Sequence, residues 1–303
     1  MPLSAADDLK RELPHVIALL VLLLVLLIVL TKFKWVHASQ VPGNWHDVYC
    51  GDICLGNVCF GSLSGGKSRV GLIYDELAMG DWRTLYQRVS NERLFTLIEP
   101  IPEFDVSSGL LSNYELVILH NKRITLKEAR AVEDYLGAGG TVLMIGDAAT
   151  EYYLSAEELA EAELMEQSKP GWYVFKINET KAQKGFGILA NQLGAQYLGG
   201  ENQTTFEVKT VLRQHLIMAS FPEGLKGLNE MPFAKVVASP AYTTKLANIV
   251  HGNSTGYPAI LETKLGLPFF GRTYMMYVAF PIENAGPGSK TLLQNIMDYL
   301  VVC

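Results

Sequence analysis

The chain has 303 residues, with 25 Lys and Arg against 31 Asp and Glu and a formal net charge of −6. Hydrophobic residues make up 49% of it and charged residues 18%, which excludes a disordered chain, since disorder needs low hydrophobicity and high charge. The mild acidity argues against a nucleic-acid binder, which carries a basic face.

Residues 16–30 (VIALLVLLLVLLIVL) hold no polar side chain. As a helix they extend roughly 22 Å, short of a hydrocarbon core of about 30 Å. Continuing through Thr31, Phe33, Trp35 and Val36 completes a span, with Lys32 and Lys34 snorkelling to the headgroups and Trp35 at the interface. Pro14 is expected at the helix start, where its missing N–H is harmless. Residues 14–36 therefore read as a lipid-embedded, uncleaved anchor. The competing reading is a signal peptide cleaved near Val36-His37-Ala38, which Lys32 and Lys34 disfavour by separating the apolar run from that site. Lys10 and Arg11 before the span balance Lys32 and Lys34 after it, so charge does not orient the chain. Asn178, Asn202 and Asn253 each open a glycosylation acceptor pattern and lean the C-terminal part to the extracytoplasmic side.

Cys50, Cys54 and Cys59 fall in CGDICLGNVC, and the remaining cysteine is Cys303. In an oxidising compartment these suggest two bridges. Three pairings are possible; residues 54–59 read as a hairpin that would set Cys54 opposite Cys59, and Cys50 could then reach Cys303. Zinc sites prefer C-x2-C pairs, whereas here the gaps are three and four residues, so no metal is expected. Residues 61–68 (GSLSGGKS) match a phosphate-binding loop literally, but RVGLIY follows as a strand where a helix is required, so no nucleotide is expected. The segment reads as a flexible linker. The resulting division is a tail (1–13), an anchor (14–36), a cysteine-containing stalk and linker (37–67) and an α/β domain (68–303).

In that domain strands and helices alternate. RVGLIY ends at Asp75 and Glu76; residues 82–95 have helical spacing; strands follow at 95–98 and 115–119 (ELVIL), the latter ending at His120 and Asn121. Thr125-Leu126-Lys127-Glu128 is a capping box that opens a helix, and Gly139-Gly140 stop it. TVLMI (141–145) is a fourth strand and ends at Gly146-Asp147. Near-continuous apolar strands between helices predict a buried parallel sheet, doubly wound and flavodoxin-like. Beyond it lie an acidic helix over 155–166, a strand over 172–177, a helical segment over 188–193, and strands over 206–211, 235–238, 259–263 and 272–280, several of them antiparallel. An amphipathic helix over 289–301 closes the chain.

ITLKEARAVEDYLGAGGTVLMIGDA, FGILANQLGAQY, HLIMASFPEGL and GRTYMMYVAFPIENAGPGSKTLLQNIMDYL together resemble class I glutamine-amidotransferase-like domains. They are most similar to the non-catalytic relatives of the trehalose-utilisation and gliding-transporter-accessory types. The resemblance implies that catalytic members carry a nucleophilic Cys in the turn after the strand matching TVLMIG, completed by a downstream His and Glu. Here that turn reads Gly146-Asp147-Ala148-Ala149, and the cysteines lie elsewhere. Cys-based acyl transfer needs a thiolate beside a base, so it is excluded at this turn.

Ligands of open α/β sheets bind beyond the carboxyl ends of the strands. Asp75, Glu76, His120, Asn121 and Asp147 stand there, and could bind a ligand or do acid–base work. They also suit plain capping and turn roles, which are favoured here. Gly185-Phe186-Gly187-Ile188-Leu189-Ala190 matches a dinucleotide fingerprint, yet no acidic residue follows on a second strand, so no cofactor is expected. His215 and His251 read as isolated surface or capping residues. The expectation is a catalytically silent, membrane-anchored subunit of a membrane or cell-surface complex that meets a protein partner or a glycan. The alternatives are a hydrolase using Asp75, His120 and Asp147, and a cytoplasm-facing accessory subunit of a transporter.

Overall fold

The computed structural model describes residues 5–32, 54–55, 58–59, 68–92, 96–153, 183–239, 241, 243–252, 256–265 and 272–301. It divides into two compact units, Met1–Lys67 with Val302–Cys303, and Ser68–Val301.

In the first unit, helix α1 (Ala5–Lys32) contains a stretch, Leu13–Thr31, long and apolar enough to cross a membrane and not buried against protein. A signal sequence passes the same test. Thr31, the one hydroxyl in the stretch, donates to the Leu27 carbonyl one turn back at 2.8 Å, which satisfies it within the helix. Pro14 lies inside α1 rather than at its start. The charged segment 5–13 is itself helical, so the helix begins before the proline and forfeits one backbone hydrogen bond to continue through it. Strands β1 (Cys54–Leu55) and β2 (Val58–Cys59) pair antiparallel with Cys54 opposite Cys59, as the hairpin reading required. The expected bridges are not supported, and the Cys54 and Cys59 side chains lie outside what the structure describes. Cys50, Cys303, Asn178 and Asn253 lie outside the described residues, as do the helix expected over 155–166 and the strand over 172–177.

The second unit begins with β3 (Ser68–Tyr74), α2 (Trp82–Glu92) and β4 (Thr96–Pro102), followed by the short α3 (Ser108–Leu111), β5 (Leu116–His120), β6 (Arg123–Thr125), α4 (Leu126–Gly137) and β7 (Thr141–Ile145). Then come β8 (Glu151–Tyr153), β9 (Gln183–Lys184), α5 (Leu189–Leu193), β10 (Ala195–Thr204), β11 (Glu207–Thr210), β12 (Met231–Ala238), β13 (Thr243–Val250), β14 (Tyr257–Leu265), β15 (Arg272–Val278) and α6 (Ser289–Leu300). The main sheet has eight strands in the order β11-β13-β14-β15-β7-β5-β3-β4. From β4 to β15 neighbouring strands are parallel, and β14, β13 and β11 add an antiparallel flank. Counted among themselves, the five parallel strands follow the flavodoxin-like order 2-1-3-4-5.

Every residue of β5 (LVILH) and β7 (TVLMI) is buried, which is why these strands carry unbroken apolar runs instead of alternation. The faces are covered by helices in pairs. Arg88 of α2 donates to Ser289 of α6 at 3.2 Å, and Gln192 of α5 donates to Glu133 of α4 at 2.8 Å. The capping box forms as read: Glu128 N donates to Thr125 Oγ1 at 3.2 Å, and Thr125 N donates to Glu128 Oε2 at 2.8 Å. Strand β4 runs four residues beyond the expected 95–98 and includes Pro100 and Pro102. It is one of the sheet's two edge strands, a position that tolerates proline. Strands β10 and β13 were not expected. Gly199, Gly200 and Asn202 mark β10 as a poor strand former, and it is held by pairing with β12 across two register shifts.

Two glycines near β11 separate steric from conformational cost. A Cβ on Gly224 (φ +102°) would stand 1.9 Å from the Val208 carbonyl oxygen, whereas one on Gly227 (φ +67°) would meet nothing. Gly227→Ala is expected to cost about 1 kcal/mol from backbone strain alone. Gly224→Ala is expected to cost about 3 kcal/mol, because a backbone carbonyl must also move. Urea unfolding of the full chain in detergent measures both; equal losses would refute the steric account.

Candidate functional site

Because β3, β5, β7 and β15 run parallel, their carboxyl ends share one crest. Asp75 follows β3, His120 ends β5, Asn121 comes next, and Asp147 follows β7 across Gly146. Glu283 follows β15 in a short 3-10 turn. All five are buried.

Their partners are largely backbone N–H groups of one loop. Asp75 Oδ1 accepts from Leu77 N and Ala78 N, both at 2.7 Å. Asp147 Oδ1 accepts from Met79 N at 2.7 Å, and Glu283 Oε1 accepts from Asp81 N at 2.9 Å. Residues 76–81 thus form a strap tied to the ends of three strands. Gly80 has φ +99°, and a Cβ there would stand 1.9 Å from Glu283 Oε1. Met79 sits over the turn: a Cβ on Gly146 (φ +65°) would meet Met79 Cβ at 3.0 Å, and one on Gly200 would meet its Cε at 2.9 Å. The turn itself is anchored from below, since Tyr277 OH donates to Gly146 O at 2.8 Å and Gly146 N donates to Val278 O at 2.8 Å. Ala149, at φ +54°, is the one non-glycine residue with positive φ among those described.

Beneath the strap, His120 Nε2 lies 3.3 Å from Glu283 Oε1, with His120 1% exposed and Glu283 fully buried. Burial pulls the imidazole pKa down, but the hydrogen bond and charge of Glu283 outweigh it and the net shift is upward. Burial raises the Asp147 pKa, against the pull of the Met79 N–H and of Lys122, whose Nζ is 4.0 Å away. Lys122 also pairs with Glu151 at 3.0 Å. On the other flank Arg123 binds Glu103 at 2.7 Å, and its backbone N–H donates to Asp75 Oδ2 at 2.9 Å.

Of the residues singled out from sequence, Asp75, His120, Asn121 and Asp147 are brought to one crest. Asn121 acts there as a turn residue, donating to Arg123 O at 2.7 Å. Glu76 is not part of it. Its carboxylate turns outward to Arg83 at 2.7 Å and to the Trp82 indole at 3.2 Å. Glu103, Arg123 and Glu283 were missed. Glu283 was accessible by the rule that found Asp75, since it follows the strand over 272–280. Glu103 and Arg123 arrive from connections that sequence spacing does not relate. Asn202 is exposed, at a register shift of β10.

His215 takes the capping role read for it, its Nδ1 accepting from Ile217 N at 3.4 Å, but it is not isolated. Its Nε2 lies 3.3 Å from the buried Glu262, which also takes the Tyr299 hydroxyl at 2.6 Å and Lys264 Nζ at 3.3 Å. Strand β14 and helix α6 bring these together, and neither adjoins His215 in sequence. His251 is not isolated either, with Nδ1 2.9 Å from the Thr205 carbonyl. Gly187 is required by packing: a Cβ would stand 2.3 Å from the Tyr152 ring, whose hydroxyl donates to Phe186 O at 2.8 Å.

Glu103 has its pKa pushed up to about 7, foremost by burial and then by the Asp75 carboxylate, with Arg123 pulling the other way. The folded chain therefore holds this proton more tightly than the unfolded chain. The stability it confers is complete below the ordinary carboxylate range and is lost as pH rises through about 7. Relative to Glu103→Gln, which has no such proton, the wild type should lose on the order of 3 kcal/mol between pH 4 and 8. Parallel stability–pH curves from chemical denaturation would contradict this.

No protein-family model matches the chain, and no curated protein does. Among solved structures, the chain is similar to a ThuA-like protein from Bacteroides uniformis, at 14% identity and a TM-score of 0.52, over 78% of this chain and 92% of that one. It is also similar to a cold-adapted β-galactosidase from Rahnella sp. R3, at 15% identity and a TM-score of 0.52, over 77% of this chain. It spans 31% of that enzyme's length. PurLQS from Thermotoga maritima matches over 77% of this chain and 99% of its own, at 14% identity and a TM-score of 0.47. The likeness is one of fold alone: the described α/β architecture is that of the ThuA-like structure.

Proposed function

We propose that this chain is a membrane-tethered, catalytically silent amidotransferase-like domain that serves as a binding or scaffold subunit of a membrane or cell-surface complex. The observation that carries this reading is the strap. A general acid or base must reach its substrate. At this crest Asp75 and Asp147 bond the strap's backbone, His120 is fully buried against Glu283, and Met79 packs over the Gly146–Asp147 turn. That turn is also where the resemblance implies a nucleophilic Cys, and this chain has Asp147.

Within this reading residues 14–36 stay in the membrane as an anchor, and the α/β domain stands outside the cytoplasm, where it meets a protein or a glycan. The unbroken apolar face of α1 supports the anchor. The exposed acceptor asparagine Asn202 supports the orientation.

Hydrogen exchange on the full chain tests the closed crest. Amides of Leu77, Ala78, Met79 and Asp81 are expected to exchange at least about a hundredfold more slowly than free amides, since each is tied to a buried carboxylate. Free exchange of all four would restore the hydrolase reading. Alkaline carbonate tests the anchor: the full chain should stay with membranes, and a chain lacking residues 1–36 should be released. Release of the full chain would end the tethered reading.

A further inference from the structure

We propose that the strap over residues 76–81 is a proton-controlled latch, held shut while Asp75 and Glu103 share one buried negative charge and released when both carboxylates are ionised; it rests on the closed-crest reading above. The way the strap is fastened is the first support. The backbone of residues 76–80 makes no hydrogen bond to other backbone groups among the described residues, so carboxylates are what tie it down. Two of its four donations, from Leu77 N and Ala78 N, go to Asp75 Oδ1. A surface segment with so few backbone bonds opens locally, well before the core does.

The second support is the surroundings of Asp75. Asp75 and Glu103 leave neighbouring parallel strands at the same level, one residue beyond the paired Tyr74 and Pro102. Both are buried, and Glu103 Oε2 has no hydrogen-bond partner among the described residues. One guanidinium serves the two: Arg123 Nη2 lies 2.7 Å from Glu103 Oε1, and Arg123 Nε lies 3.8 Å from Asp75 Oδ2. The other charged neighbour, Glu128 of α4, is a further carboxyl engaged in the helix cap. Ionising Glu103 thus sets two buried negative charges against one positive charge. Lifting the strap lets water reach Asp75 and relieves that excess.

In the closed crest Glu103 keeps its proton up to about 7, and with Asp75 hydrated it has no such need. Acid therefore favours the shut strap, and rising pH through about 7 favours the open one. The strap's remaining acceptors, Asp147 and Glu283, face Lys122 and His120. The upward shifts of His120 and Asp147 act in the same direction, and both stay in place when only Glu103 is replaced.

Hydrogen exchange on the full chain in detergent, between pH 6 and pH 8 and corrected for base catalysis, reads the opening. Protection of Leu77 and Ala78 is expected to fall about tenfold across that range, and Glu103→Gln should show at most about a third of the fall. Val117 and Leu143, inside the buried strands β5 and β7, report global unfolding, and the strap amides should exchange faster than these at every pH. A level wild-type profile overturns the latch. So does an equal fall in the two proteins, or strap amides that exchange no faster than Val117 and Leu143. Free exchange of the strap at pH 6 brings down the closed crest itself, whereas protection that stays high and level brings down the latch alone.

Discussion

A carboxylate buried at the end of a parallel strand must find donors, or it costs several kcal/mol. At this crest the donors are backbone N–H groups, and that requirement shapes everything around them. Asp75, Asp147 and Glu283 come from three strands, yet their acceptor oxygens converge on residues 77–81. The strap can follow that path only with glycine at position 80, because Glu283 fills the space a side chain would need. Met79 is thereby set above the Gly146–Asp147 turn, and Gly200 leaves room for its methyl group. The crest of this sheet is packed, with Asp75, Asp147 and Glu283 each bonded to the strap.

The same logic recurs on the sheet at Glu262. This second buried carboxylate is met by Tyr299, Lys264 and His215, drawn from a helix, its own strand and a loop. Both sites show carboxyl groups held in the interior by partners from distant segments. Removing one partner from such a group leaves a buried polar atom unsatisfied, which is costlier than the loss of a surface ion pair. The His120–Glu283 and His215–Glu262 contacts therefore tie loops to the sheet.

The parallel part of the sheet was legible because burial on both faces forces an apolar code. LVILH and TVLMI have no polar alternation, and the capping box at Thr125 and Glu128 announced the helix between them. Strand β10 was illegible for the converse reason. Its Gly199, Gly200 and Asn202 have weak strand preferences, and only pairing with β12 holds them extended. Glu76 illustrates the limit at the site. Sequence put it beside Asp75 at the crest, but adjacent residues leaving a strand point apart, and Glu76 left the crest for Arg83 and Trp82.

By itself the sequence determined the apolar helix near its start, the alternating α/β order and the polar residues at the strand ends, because each of these follows from local periodicity and local hydrogen bonding. The tertiary structure alone decided that the crest is closed, that Glu283 lies against His120 and that His215 lies against Glu262. Those contacts join residues 163 and 47 positions apart, and a pairing at such distance is selected by the folded chain as a whole.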